Sequence, residues 1–487
     1  MLLDRKLAPL QRTARIEVVA KFTGQLLGVL GWLILIPTLV SLYFHDFEIT
    51  LRYLIVELIL FACGFVFSRL DTPTDIQINE GLVITSLIFI LAPLMMTIPF
   101  TGEGLGFVDA LFEAISAVTT TGLTTVSALE SMSATFIFSR AYLQWIGGLG
   151  IVVLTVALLL RPGMAAKRLI HLDESEDLVS STQAYAQTIL KIYLILTACI
   201  TALIWATQGN FFVAITHAFA AVSTGGFSGY NDSLAGFNNT VGMVAVMVGC
   251  VFGALPLLLY QHVRRLDWRS FMADPQLRAL LILVSIASFV LGMLFTLQLN
   301  MPWSEALLHA PLLAISAQST AGFASLPLAE LGGGVLLILI LLMFTGGSLG
   351  STAGGIKLLR MLIFLSLMKL SMQRIAVVHH AVIESKLGKE PLGEDEIIRA
   401  LLLILLFIAV IFLSWLAFVI AGYDPLGALF EVVSAVGTVG LSSGITDSDL
   451  PAFLKAVLCV DMLLGRLEII ALLVLLYPAT WIKLRSV

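Results

Sequence analysis

The sequence predicts an all-α integral membrane protein, with four pseudo-symmetric helix, pore-loop, helix units around one pore and an N-terminal two-helix hairpin. Three observations carry that expectation. The 487-residue chain is 59% hydrophobic and 12% charged, with a mean hydropathy of +1.01, whereas soluble domains carry about 25% charged residues. Apolar stretches long enough to cross a bilayer recur along its length. One short phrase returns four times: SAVTTTGL at 116–123, AAVSTGGF at 220–227, SAQSTAGF at 316–323 and SAVGTVGL at 434–441.

A transmembrane helix needs about 20 apolar residues. Uncharged runs at 22–44, 81–100, 141–160, 192–216, 240–261, 331–356 and 400–423 meet that length, and less clean spans fit at 53–68, 279–301 and 451–482. The total is about ten spanning helices. The first run is 23 residues long and has no small-residue cleavage site, so it reads as a retained helix rather than a cleavable signal. Cys63, Cys199, Cys250 and Cys459 all fall in apolar spans without CxxC spacing, which argues for packing or lipid-facing roles and against a metal or disulfide framework.

The net charge of −5 says little about partners, because the placement of Lys and Arg is what orients a membrane chain. Basic residues gather at Arg5, Lys6, Arg12, Arg15 and Lys21, at Arg161, Lys167 and Arg168, at Arg264, Arg265 and Arg269, between 369 and 399, and at Lys483 and Arg485. The segments that hold the repeats have almost none, apart from Arg140 and Lys455, which lie near span ends and could merely snorkel. Both termini are therefore expected on the cytoplasmic side, with the four repeats approaching from the outer face.

Each repeat sits in the same place: a spanning helix, a short apolar stretch, the Thr and Gly loop, then another spanning helix. The glycines Gly122, Gly226, Gly322 and Gly440 are 104, 96 and 118 residues apart. The short stretches, such as 109–117 and 212–221, suit re-entrant half-helices. Each has Ala twelve places before its glycine (Ala110, Ala214, Ala310, Ala428) and another five before it (Ala117, Ala221, Ala317, Ala435), small residues that allow close packing in lipid. The units are expected at 76–165, 185–265, 275–370 and 395–487, with the additional hairpin in 1–75. One TxG alone is ordinary in membrane-helix connections, but four in one register are not.

Loops of this kind suit a cation. Backbone carbonyls replace its water shell without a formal charge that would trap it, and glycine takes the positive φ that turns them inward. The candidate filter residues are Thr120, Thr121 and Gly122; Thr224, Gly225 and Gly226; Thr320, Ala321 and Gly322; and Thr438, Val439 and Gly440. The residue between Thr and Gly varies, as expected where its carbonyl does the work, and a Thr hydroxyl can add oxygen at the inner end. Half-helices that run inward present partially negative C-terminal ends to a central cavity. Glu103, Asp109, Glu130, Asp232, Asp447 and Asp449 near the outer mouth either raise local cation concentration or are ordinary loop charge. Nine places before the glycines stand Glu113, His217, Leu313 and Glu431, whose inequality points to local hydrogen bonds bracing each loop from behind.

These residues resemble the Trk/Ktr/HKT superfamily of potassium transporters over nearly the whole chain, and the extra hairpin is similar to its bacterial TrkH/TrkG branch. The resemblance implies K+ as the transported ion, with no organic cofactor. Glycine at Gly122, where sodium-preferring plant members have Ser, implies potassium selectivity. It also implies a homodimer in the bacterial cytoplasmic membrane, served by a ring of TrkA-like nucleotide-binding RCK subunits docked on the cytoplasmic stretches 161–187 and 369–399. No nucleic-acid partner is expected.

Two further features match. The stretch 344–357 holds Gly346, Gly347, Gly350, Gly354, Gly355 and Lys357 in what should be the second helix of the third unit. Each glycine costs about 1 kcal/mol relative to Ala in a helix, so the helix is expected to break. The resemblance implies an intramembrane gating loop under the filter. The competing readings are a glycine-rich packing face and a nucleotide loop, the latter excluded by the lack of GxxxxGK[ST]. Arg466 lies inside the last span, where an Arg costs about 2.5–3.5 kcal/mol on insertion scales. Asp461 and Glu468 are not at the spacing that pairs side chains on a helix. The resemblance implies that Arg466 is a barrier below the filter; the alternative is an interhelical salt bridge.

The rival function is an ion-coupled secondary carrier (potassium with proton or sodium) with its site at broken helices. Carriers usually show two inverted repeats, however, whereas these four run in one direction. A membrane enzyme ranks last: His217 and His309 are the only suitably placed histidines, and no HExxH, nucleophile elbow or carboxylate pair surrounds them.

Overall fold

The computed structural model describes residues 13–73, 75–159, 178–237, 239–376, 386–387 and 390–482. Arg5, Lys6, Arg12, Arg161, Lys167, Arg168, Lys483 and Arg485, and much of the two expected docking stretches, lie outside the described residues.

The chain opens with a helical hairpin, α1 (Ile16–Tyr43) and α2 (Phe47–Ser68). Its arms approach closely because glycine faces glycine: a Cβ at Gly64 would lie 3.0 Å from the Gly28 Cα. Polar contacts fix the hairpin to the first pore unit. Tyr53 donates to Ser139 at 2.7 Å, and Arg15 pairs with Glu80 at 2.7 Å.

Four runs of helix, short helix, loop and helix make up the rest of the chain. The first comprises α3 (Ile78–Phe100), α4 (Phe107–Val118) and α5 (Ala134–Leu159), and the second α6 (Leu178–Gln208), α7 (Phe211–Val222) and α8 (Thr240–Gly253). Short helices α9 (Tyr260–Arg264) and α10 (Trp268–Ala273) lead to the third run, which comprises α11 (Pro275–Gln298), α12 (Trp303–Gln318), α13 (Gly333–Thr345) and α14 (Leu358–Ala376). A two-residue antiparallel pair, β1 (Lys386–Leu387) with β2 (Glu390–Pro391), precedes the fourth. That run holds α15 (Glu394–Ile420), α16 (Pro425–Val436), α17 (Ala452–Arg466), α18 (Ile470–Leu476) and α19 (Pro478–Trp481).

Six of the described helices are long and apolar enough to cross a bilayer, and a seventh span counts if Thr240–Gly253 and Leu257–Arg264, bent by 93°, are one. Several of the roughly ten spans expected from hydropathy are interrupted along the backbone. Hydropathy does not register backbone breaks inside an apolar run. The second helix is interrupted around Pro256 in the second run, at Gly346 in the third and at Leu467–Ile469 in the fourth, while α5 runs on for 26 residues. The apolar run 192–216 likewise crosses an element boundary. Gly209 takes φ +70°, and the Asn210 side chain accepts from the amides of Phe212 and Val213, capping α7.

The four short helices α4, α7, α12 and α16 are enclosed, with all eight matched alanines buried. One core cluster runs through the hairpin and the first two runs. A second fills the last two and takes in Phe112, Ile115 and Leu123 from the first. The circle closes where Lys455 meets Asp109 at 2.6 Å and the Ala14 amide donates to the Thr480 carbonyl at 2.8 Å.

Candidate ion filter and the loop beneath it

Each short helix ends in the same way. Thr120, Thr224, Thr320 and Thr438 take left-handed conformations with φ of 55°, 52°, 55° and 49°. The amide after each Thr reaches back to Ser116, Ala220, Ser316 or Ser434, and the Thr amide itself to Ala117, Ala221, Ala317 or Ala435. These paired bonds are a Schellman cap with Thr in the position usually given to glycine. They offset a conformation that costs a β-branched residue on the order of 1–2 kcal/mol. The cap turns the chain sharply, so that Gly122, Gly226, Gly322 and Gly440 come two residues later, with φ of 91°, 80°, 73° and 95°.

These glycines interlock. A Cβ at Gly122 would overlap the Gly225 carbonyl oxygen, one at Gly226 the Ala321 oxygen, one at Gly322 the Val439 oxygen, and one at Gly440 the Thr121 oxygen. Four carbonyls, one from each repeat, therefore stand in a closed cycle in the order first, second, third, fourth, first. Glycine is required there twice over, by φ and by space.

Behind the loops the bracing differs from quarter to quarter. Glu113 accepts from the Thr124 hydroxyl at 2.6 Å and the Thr125 amide at 2.9 Å, and Glu431 accepts from the Ser442 hydroxyl at 2.8 Å and the Ser443 amide at 2.7 Å. In the same two quarters the amides of Gly122 and Gly440 donate to Ser116 and Ser434 at 3.0 Å. His217 pairs with Ser228 at 3.0 Å. The third quarter has Leu313 at the matched position, and His309 pairs with Ser325 at 3.1 Å instead.

Beneath this cycle lies the chain between α13 and α14. Gly346, Gly350, Gly355 and Lys357 all have positive φ, and the segment is bonded to three quarters. The Gly354 amide donates to the Thr320 hydroxyl at 2.7 Å and the Gly355 amide to the Gly437 carbonyl at 3.0 Å. The Thr352 hydroxyl donates to Gly253 or Val222, at 2.9 and 3.0 Å. Gln318 holds the Gly346 carbonyl at 2.5 Å. A Cβ at Gly354 would overlap the Gly437 carbonyl, and one at Gly347 would overlap Ala353. Arg466 is 3% exposed and donates to the Thr352 carbonyl at 2.8 Å and the Gly147 carbonyl at 3.2 Å, tying the loop to the first quarter.

A family model for TrkH, cation transport protein, matches residues 47–481. The chain belongs to the TrkH family. Among proteins similar to this chain, an uncharacterised cation transporter of Methanocaldococcus jannaschii is 29% identical over 94% of this chain and 95% of its own. The Trk system potassium uptake protein TrkH of Escherichia coli K12 is 29% identical over 96% and 99%. The crystal structure of the potassium transporter TrkH from Vibrio parahaemolyticus superposes with a TM-score of 0.85 at 26% identity, covering 96% of this chain and all of that one. These relatives are ion transporters, and this TrkH-family chain is a multi-pass membrane transporter, not an enzyme.

Two sequence readings are corrected within the TrkH fold: the snorkelling of Arg140 and Lys455, and the free mouth charge at Asp109. Arg140 does not snorkel: it is 1% exposed, 2.9 Å from Glu113 and stacked 3.7 Å from the centre of the Phe227 ring. Lys455 is buried against Asp109, so Asp109 is an ion-pair partner rather than a free mouth charge. Arg466 binds backbone carbonyls, and among the described residues it makes no salt bridge. Glu468 pairs instead with Lys357 at 3.2 Å and Arg360 at 2.6 Å, while Asp461 accepts from Ser414. Of the other mouth carboxylates, Glu103 holds Ser133, whereas Glu130, Asp232, Asp447 and Asp449 are exposed. Sequence reasoning does not single out the buried amides Gln144 and Gln318 or the hydroxyl of Thr352. A lone amide inside the apolar run 141–160 marks Gln144, and Gln318 stands where the other three repeats have Val118, Val222 and Val436.

Proposed function

We propose that this protein takes up potassium across the cytoplasmic membrane through a filter made by Thr120, Thr121 and Gly122 with their counterparts Thr224, Gly225 and Gly226, Thr320, Ala321 and Gly322, and Thr438, Val439 and Gly440. The closed cycle of four glycines against four carbonyls carries this reading. It supplies neutral oxygens from every quarter, the kind of ligand that replaces a cation's hydration without trapping it. The C-terminal ends of four short helices add partial negative charge at the same level. Potassium as the ion rests on the names of the relatives. Among the described residues the hydroxyls of Thr120 and Thr438 have no protein partner, and they are the two offered to an ion from below.

The loop 346–357 is the proposed gate, with Gly346, Gly347, Gly350, Gly354 and Gly355 allowing its close fit and Lys357 and Arg466 anchoring it. Its bonds to Thr320 and Gly437 support a position against the filter's inner end, from which the loop would close the passage. A homodimer with both termini cytoplasmic, regulated by a TrkA-like RCK ring, completes the proposal. The test is Gly122→Ser, assayed by rubidium uptake with sodium competition. Sodium should compete better, because a Cβ there displaces the Gly225 carbonyl; unchanged discrimination would remove the filter assignment.

A further inference from the structure

The four carbonyls of the cycle are not chemically equal. Among the described residues, only the Gly225 carbonyl receives a side-chain donor: Gln144 Nε2 donates to it at 2.5 Å. The same amide accepts from the Phe227 backbone through Oε1 at 3.2 Å, so both of its polar ends are committed to the second loop. Gln144 is fully buried, yet it belongs to α5 of the first run and reaches across the seam to its neighbour. One helical turn earlier, Arg140 stacks on the Phe227 side chain. Residues four apart share a helix face, so one face of α5 holds the second filter loop at three points.

We propose that Gln144 is a positioning residue that sets the ion preference of the filter by acting on the Gly225 carbonyl. The inference rests on the filter reading above. A carbonyl oxygen has two lone pairs, and an amide donor on one of them has two effects. It draws electron density from the oxygen, lowering the field that a cation meets. It also pins the oxygen so that it cannot close around a smaller ion. Cavity size and field strength are the two accounts of potassium over sodium selection, and under both the donor disfavours sodium. The other three carbonyls remain free to bind the ion fully.

The test is sodium competition against rubidium uptake in Gln144→Leu and Gln144→Glu, alongside Gly122→Ser. Leu removes donor and acceptor at similar size; Glu keeps the acceptor for Phe227 and puts an oxygen where the donor was. The sodium concentration that halves uptake should fall by about two- to tenfold, the worth of one hydrogen bond, and further in Glu than in Leu. Wild-type competition in both variants would overturn the proposal. A variant too slow to assay for uptake is read by the ratio of rubidium to sodium protection against thermal unfolding in detergent. A shift towards sodium supports the role, and a wild-type ratio overturns it. If Gly122→Ser shifts competition and the Gln144 variants do not, only this inference falls. If Gly122→Ser leaves it unchanged, the filter reading falls.

Discussion

Arg140 and Glu113 form an ion pair with almost no solvent exposure, in a part of the chain where hydropathy places lipid. Breaking a buried pair by removing one partner typically costs about 3–5 kcal/mol, because the remaining charge is left uncompensated. Arg140→Ala should therefore lower the thermal midpoint of the detergent-solubilised protein more than Lys455→Ala does, since Asp109 is partly exposed and can be rehydrated. Equal or smaller loss in Arg140→Ala would count against the brace. Glu113 is legible in the sequence as a support for its loop, because it stands nine places before Gly122 in register with His217 and Glu431. Its partner is not. Arg140 sits near the start of an apolar run, and only the packing of α5 against the neighbouring loop shows that Phe227 covers it.

At the scale of elements, the second helices of three runs are interrupted, each by a different local device. The break in the third run is readable from glycine density alone. The break in the fourth is not, because it is made by Glu468 and Ile469, non-glycine residues with φ of 52° and 62°. Conformations of this kind store on the order of 1–3 kcal/mol each and persist where surrounding contacts over-determine them. Here those contacts are Lys357 and Arg360, at the exit of the proposed gating loop. Shortening 346–355 should raise ion flux in reconstituted vesicles, and Arg466→Ala should do the same by freeing the Thr352 carbonyl. Lower flux from both in correctly folded protein would sink the gate. The break in the second run, at Pro256, shows why apolar length misleads: the run continues while the backbone turns by 93°.

Across the whole molecule, the proposed filter, assembled from all four runs, would make ion binding a stabiliser of the global fold. Binding to the native state alone adds about 2.7 kcal/mol at a hundredfold excess over Kd. Potassium should thus raise the thermal midpoint over N-methylglucamine at equal ionic strength, and Gly122→Ser should reduce that rise; no difference between the cations would argue against a preformed site. The repeat period makes the four quarters legible, while their circular order is not, because sequence spacing does not say which loop abuts which. That order has a mechanical meaning. Glycine against carbonyl at four successive seams is a hoop, and a hoop has no loose stave: a displacement at one seam is shared by the other three. Side chains behind the loops are free to diversify, as Glu113, His217, Leu313 and Glu431 have done. The backbone circumference must be kept by all four quarters together.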